Sequence, residues 1–324
     1  MATTRDKKLI YSLFKGLSSK ALRIKKAAGQ TNRNYIVAFK GNKFFVRLPW
    51  ENDIFNRTVE GKNILRLLQN SKLKTILPKY YLYILKGENI LDPEDKEVFD
   101  VPDGTMVIDY IEGKEFRLNL LQQEKMRKAL IKTFRIFHSS SVRLINDYDV
   151  FRDEIEKYRI EATRFPITKI INSNVIEKIK QIEKIARIKF PLSKKGISTH
   201  NDFLFQNFIV GKRKIYMLDF EYAGFNRRGG FYYDFSFLFA DNLFRKPQMK
   251  KEVFEMFLQT ADKVYKHKLN RKRIYYGALA AILVMVWWGL LRYFNVKTKK
   301  EKNYFKDYVQ KRSGGLLDLY NNLR

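Results

Sequence analysis

His200-Asn201-Asp202-Phe203-Leu204-Phe205-Gln206-Asn207, followed by Leu218-Asp219-Phe220-Glu221-Tyr222, is the stretch on which the reading of this chain turns. Between these segments, Asn207 to Val210 and Ile215 to Leu218 read as two short strands joined by the turn Gly211-Lys212-Arg213-Lys214. A carboxylate in a loop, an amide five residues on, and a second carboxylate at the end of the paired strand can converge on one point. Such an oxygen-rich set suits Mg²⁺, which takes one or two carboxylates plus phosphate oxygens and waters. Asp202 is then the group that takes a proton from an acceptor hydroxyl, while Asn207 and Asp219 hold the metal. Taken singly, each residue reads as a turn, cap or strand-end residue; the combination points to chemistry.

Outward from this stretch the chain changes character. Asn34 to Phe39 and Phe44 to Leu48, separated by Lys40-Gly41-Asn42-Lys43, predict a hairpin. The spacing of Val59, Ile64, Leu67 and Leu68 predicts a helix over Asn56 to Gln69. Further strands are expected at Tyr80 to Leu85 and Thr105 to Tyr110. Beyond Gly113 the periods become helical, at Leu118 to His138, Val150 to Thr163, Val175 to Ile188, Lys250 to Lys266, Arg271 to Phe294 and Asn303 to Val309. The expected organisation is a β-rich N-terminal lobe over 1–105, a connector over 106–113 and a helical C-terminal lobe over 114–324.

Composition narrows the class. The 324 residues hold 64 Lys+Arg against 34 Asp+Glu, a net charge of +30, and 45% are hydrophobic, enough for two lobes with packed cores. There is no cysteine and there are three histidines, so disulfides, thiolate chemistry and Cys-based metal centres are excluded and any metal takes oxygen ligands. The N-terminus lacks a signal-peptide pattern, and the longest apolar run, Gly277 to Leu291, falls short of a membrane span, so a buried core helix and a cytoplasmic protein are expected. The charge suits a polyanion partner, yet the lysines are spread along the chain, which argues against a dedicated nucleic-acid binder.

His-x-Asp-x4-Asn followed by Leu-Asp-Phe-Glu-Tyr resembles the catalytic region of choline and ethanolamine kinases, within the wider aminoglycoside-phosphotransferase and protein-kinase-like superfamily. That resemblance implies an α+β, two-lobed, protein-kinase-like fold, with ATP and Mg²⁺ as cofactors. It makes Asp202 the catalytic base and Asn207 and Asp219 the Mg²⁺ ligands. Glu221 then supports the metal through water or binds a cationic substrate, with Tyr222 beside it. His200 shapes the turn, and Asp234 in Gly230-Phe231-Tyr232-Tyr233-Asp234 braces the loop. In the N-terminal lobe, Gly29, Thr31, Asn32 and Asn34 resemble the loop that covers the nucleotide phosphates. Arg47 stands where the family carries a cation reaching those phosphates, with Glu60 its partner. Asp109 and Ile111 belong to the connector expected to receive the adenine.

The acceptor is less determined. Trp287 and Trp288 resemble the aromatic helix from which choline kinases build a box for a trimethylammonium group, since aromatic faces attract a quaternary cation. The family commonly separates two Trp by two residues, whereas here they are adjacent and point about 100° apart on a helix. Choline is the leading acceptor; ethanolamine, thiamine or an aminoglycoside would use the same machinery. A catalytically silent nucleotide-binding module is the competing class.

Overall fold

Lys40 and Gly41 both take left-handed backbone, with φ of 45° and 80°, and reverse the chain between strands Asn32–Phe39 and Asn42–Pro49. This is a tighter turn than the four residues expected, and glycine's missing Cβ suits its second position. The pairing runs from Asn32 opposite Pro49 to Phe39 opposite Asn42 and buries Tyr35, Val37, Val46 and Leu48. The computed structural model describes residues 2–14, 21–27, 29, 32–50, 55–245 and 248–323, which form two compact units.

The first unit comprises Met1–Glu115 and Phe208–Tyr222. Its antiparallel sheet has six strands, in the spatial order Arg23–Lys26, Asn32–Phe39, Asn42–Pro49, Met106–Asp109, Tyr80–Leu85 and Glu88–Asn89. Asn56 starts the Arg57–Gln69 helix by accepting from the Val59 N–H, and the helix buries Glu60, Ile64 and Leu67. An unforeseen Thr4–Leu13 helix buries Ile10 and Leu13 in the core formed with Tyr35, Val37, Val46 and Leu48.

The hairpin of residues 208–217, expected within the C-terminal lobe, clusters with the first unit. Phe208–Gly211 pairs on one side with Ile215–Met217 and on the other with Gly113–Glu115, and the Met217 N–H donates to the Ile76 carbonyl at 2.8 Å. Backbone hydrogen bonds, invisible in side-chain periodicity, decide that membership.

The second unit, Phe116–Asn207 with Ala223–Arg324, is mainly helical. The Arg271–Asn295 helix is long and apolar enough to cross a membrane by length and composition, but 78% of its most apolar stretch is buried inside the protein, consistent with a core helix. The Phe231–Asn242 helix escaped the sequence reading because Tyr233 to Asn242 are all buried, which erases the amphipathic stripe. An aromatic cluster carries the loop of residues 200–207: Phe203 stacks on Phe134 with centroids 4.3 Å apart, and Phe235 and Phe257 meet Phe134 edge-on.

The helix expected over Val150 to Thr163 starts instead as a π-helical turn, Phe151–Glu156, and continues as an α-helix over Lys157–Ala162. Glu154 in that turn is buried and accepts a hydrogen bond from the Tyr148 hydroxyl. Burial pushes its carboxyl up from 4.5 to about 7. The folded chain therefore keeps a proton that the unfolded chain loses, so stability falls as pH rises from about 4.5 to about 7 and then levels. Glu154→Gln is expected to raise the melting temperature relative to the wild type by more at pH 8 than at pH 5. An equal difference at both pH values would show that Glu154 is ionised in the fold.

Candidate active site

The loop His200–Asn207 hangs from one carboxylate. Asp234, 0% exposed, accepts from the His200 N–H at 3.1 Å through Oδ2 and from the Asn201 N–H at 2.8 Å through Oδ1. His138 Nε2 lies 2.8 Å from the same Oδ2, and its Nδ1 lies 2.6 Å from the Tyr265 hydroxyl. A carboxylate only accepts, so Nε2 carries the proton and Nδ1 accepts from the tyrosine. Asn201 is left-handed, with φ 65°, and its side-chain oxygen accepts from Thr199 Oγ1 at 2.6 Å and from Asn226 Nδ2 at 3.2 Å. The His200 ring is buried and stacks on Phe203 at 5.3 Å.

That frame presents Asp202 half-buried between buried neighbours. Asn207 Nδ2 donates to the Asp202 carbonyl at 2.9 Å and to its Oδ2 at 3.0 Å. The Asn207 amide nitrogen is thereby committed to Asp202, and the group left to a cation is the amide oxygen. Asp202 and Asn207 are brought together in the second unit; Asp219 lies in the first.

Within the first unit the strand Ile215–Met217 ends two residues before Asp219, whose backbone is left-handed with φ 65°. Two residues on, the Glu221 side chain is 3% exposed and sits 3.3 Å from both Arg57 Nη1 and Asn32 Nδ2. Arg57 also donates to Glu60 Oε2 at 2.6 Å and to Asn32 Oδ1 at 2.8 Å. Glu60 takes a bidentate pair from Arg47, at 2.6 and 2.8 Å, and the Tyr83 hydroxyl at 2.9 Å. Burial opposes ionisation of Glu60, but Arg47 and Arg57 hold its carboxyl below the ordinary value. Glu221 goes the other way: burial first, and the Asp219 carboxylate second, push it well above the ordinary value.

Arg47 does pair with Glu60, but it is 2% exposed and its terminal nitrogens are taken by Glu60 and the Gly104 carbonyl, so its charge is spent inside the unit. Glu221 is held inside the unit by Arg57 and Asn32. Tyr222 stands edge-on to Phe55, 5.0 Å away. Gly29 is exposed, while Asn32 and Asn34 lie on the hairpin strand, Asn34 opposite Arg47; Thr31 falls outside the described residues. In the connector, the Asp109 side chain accepts from the Tyr81 hydroxyl at 2.7 Å and its N–H donates to the Lys79 carbonyl. The Tyr110 N–H donates to the Lys43 carbonyl, leaving Ile111 as the first connector residue past the sheet.

Trp287 is 0% exposed and its indole packs in the core. Trp288 is half-buried and meets Phe305 and Tyr308 at 5.6 and 5.7 Å. Arg57 and His138 escaped the sequence reading. Arg57 left one signal, its place one helical turn before Glu60; nothing in local spacing ties His138 to Asp234.

The family model for choline/ethanolamine kinases matches residues 95–272, more than half of the chain. No curated protein matches it by sequence. Among solved structures, the choline kinase LicA of Streptococcus pneumoniae superposes with a TM-score of 0.69 at 20% identity, over 96% of this chain and 97% of that one. A choline/ethanolamine kinase family protein of Mesorhizobium loti gives 0.68 at 18% identity, covering 98% and 95%. The Plasmodium vivax ethanolamine kinase gives 0.68 at 16%, covering 98% and 89%. These likenesses show the kinase-like α+β fold, with its β-rich N-terminal and helical C-terminal regions. The matched segment spans the loop of Asp202 and Asn207, the position of Asp219 and the Asp234 brace: the chain belongs to the choline/ethanolamine kinase family and is a phosphotransferase acting on an alcohol.

Proposed function

We propose that this chain transfers the terminal phosphoryl group of ATP, with Mg²⁺, to the hydroxyl of a small amino alcohol of the choline and ethanolamine type. The observation that carries the reading is the Asp202–Asn207 pair, in which the amide nitrogen of Asn207 fixes the Asp202 carboxylate. The donor types suit Mg²⁺: Asn207 offers an amide oxygen and Asp219 a carboxylate. Mg²⁺ favours such partial protein ligation, completed by substrate phosphates and water.

In this reading Asn207 and Asp219 hold the ion, which when bound neutralises charge on the phosphates. Asp202 accepts the proton of the acceptor hydroxyl as its oxygen attacks in line, and Asn207 keeps the carboxylate turned toward that oxygen. Asp234 prevents the loop from drifting, because losing it strands two buried backbone N–H groups. The nucleotide is assigned to the first unit, with the segment around Gly29, Thr31, Asn32 and Asn34 near its phosphates and the backbone around Asp109 and Ile111 near its base. An ATP-dependent reaction on small soluble alcohols fits a cytoplasmic protein.

The test is Mg²⁺-dependent ADP release against choline, ethanolamine, thiamine and an aminoglycoside. Asp202→Asn is expected to lower turnover about 10²- to 10⁴-fold while ATP still binds. Equal turnover in the variant would overturn the assignment, and ATP binding without turnover of any acceptor would favour a silent module. Asp219→Asn is expected to raise the Mg²⁺ concentration for half-maximal rate. Arg57→Met leaves Glu60 and Glu221 short of a buried cation and is expected to cost about 3–5 kcal/mol in urea unfolding. Arg57→Lys should recover part of this, and a loss below about 1 kcal/mol for Arg57→Met would show that the pair is not buried as described.

A further inference from the structure

Beside the loop of Asp202 and Asn207 runs a wall of arginines and aromatic rings. Gln206, the residue before Asn207, accepts from Arg245 Nη2 at 2.9 Å, and Arg245 is ion-paired with Asp241. Its neighbour Phe244 leans on Gly315, where a Cβ would collide with the ring. Between Phe244 and Tyr308 lies the guanidinium of Arg312, with Cζ 4.9 Å from the first ring centroid and 3.3 Å from the second. Tyr308 meets Trp288, and Arg292 Cζ lies 5.9 Å from Trp288 and 5.7 Å from Phe305.

Four aromatic rings here could host an ammonium group, and each already has a guanidinium of this chain over it. Arg312 is 9% exposed, and among the described residues it forms no ion pair; the nearby carboxylate, Asp241, is taken by Arg245. Beyond one long hydrogen bond from Nη1 to the Tyr308 carbonyl at 3.4 Å, its charge rests on the two ring faces that sandwich it, the same interaction that a quaternary ammonium ligand would need. A second cation on these rings would face Arg312, Arg292 and Arg245 at close range, and a group bearing only methyls has no hydrogen bond with which to offset that repulsion.

We infer that Arg312 is a specificity-determining residue: it occupies the aromatic box beside the Asp202 loop from within, and so selects against acceptor alcohols that carry a quaternary ammonium group. The inference rests on the reading that Asp202 faces the acceptor, and it moves the preferred acceptor from choline toward ethanolamine-like alcohols, whose primary ammonium can bind by hydrogen bonds elsewhere.

Choline and ethanolamine are titrated calorimetrically into the wild type, Arg312→Leu, Arg312→Gln and Arg312→Lys, with thermal melts to establish that each variant is folded. The two neutral variants are expected to bind choline at least tenfold more tightly than the wild type, Arg312→Lys to behave as the wild type, and ethanolamine affinity to change less than threefold. A gain of binding cannot come from structural damage. Choline binding to the wild type as tight as to Arg312→Leu, or no gain in whichever neutral variant folds, overturns the proposal. Absence of ADP release with every acceptor would count against the kinase reading, while the titrations still judge the box.

Discussion

A buried carboxylate with three N–H donors around it is the constraint from which the second unit's chemistry follows. Asp234 is out of contact with water, and an ionised group there is tolerable only when its oxygens are fully engaged. The donors that engage it, the His200 and Asn201 backbone and His138 Nε2, come from two separate parts of the chain. Satisfying the carboxylate therefore fixes the loop. The left-handed Asn201, which costs energy in an L residue, is held by the same bonds and by Thr199 and Asn226. Phe203 then docks on Phe134, so the loop is tied to the hydrophobic core as well as to the polar brace.

The first unit solves a related problem with four ionisable groups. Arg47 and Arg57 face Glu60 and Glu221, all with side chains almost wholly enclosed. Removing water from such groups is expensive, and the arrangement persists because nearly every polar atom is shared: Glu60 alone takes hydrogen bonds from two arginines and a tyrosine. The network joins the first sheet, the Arg57–Gln69 helix and the segment after Met217 that carries Asp219 and Glu221. A left-handed Asp219 two residues before the anchored Glu221 is a backbone held in place from downstream.

Much of this was legible in the sequence, for reasons that differ by element. The hairpin of residues 32–49 and the Arg57–Gln69 helix announce themselves through alternation, a turn glycine and an asparagine cap. The Asp202–Asn207 pair was legible because the five-residue spacing spans one loop, and the Arg47–Glu60 pair because strand and helix follow each other directly. The Phe231–Asn242 helix was not, since burial on all sides leaves no polar face to read. His138 was missed because Asp234 is 96 residues away, and the tie from Arg57 to Glu221 because 164 residues separate them, both distances set by the fold alone. Glu221 and Trp287 were named through the family resemblance, which carries no sign that both side chains are buried.

The placement of residues 208–222 has a consequence for how this chain can be divided. Because that segment belongs to the first unit, the backbone passes from one unit to the other three times, after Glu115, after Asn207 and after Tyr222. A fragment ending at Glu115 lacks the strand that borders Gly113–Glu115 and the segment with Asp219, while the complementary fragment carries that hairpin with no sheet edge to pair against. Neither unit can be expressed whole as one uninterrupted stretch of chain. Shuffling of halves between relatives, a common route by which modular enzymes diversify, is closed to this architecture unless the hairpin travels with the N-terminal sheet.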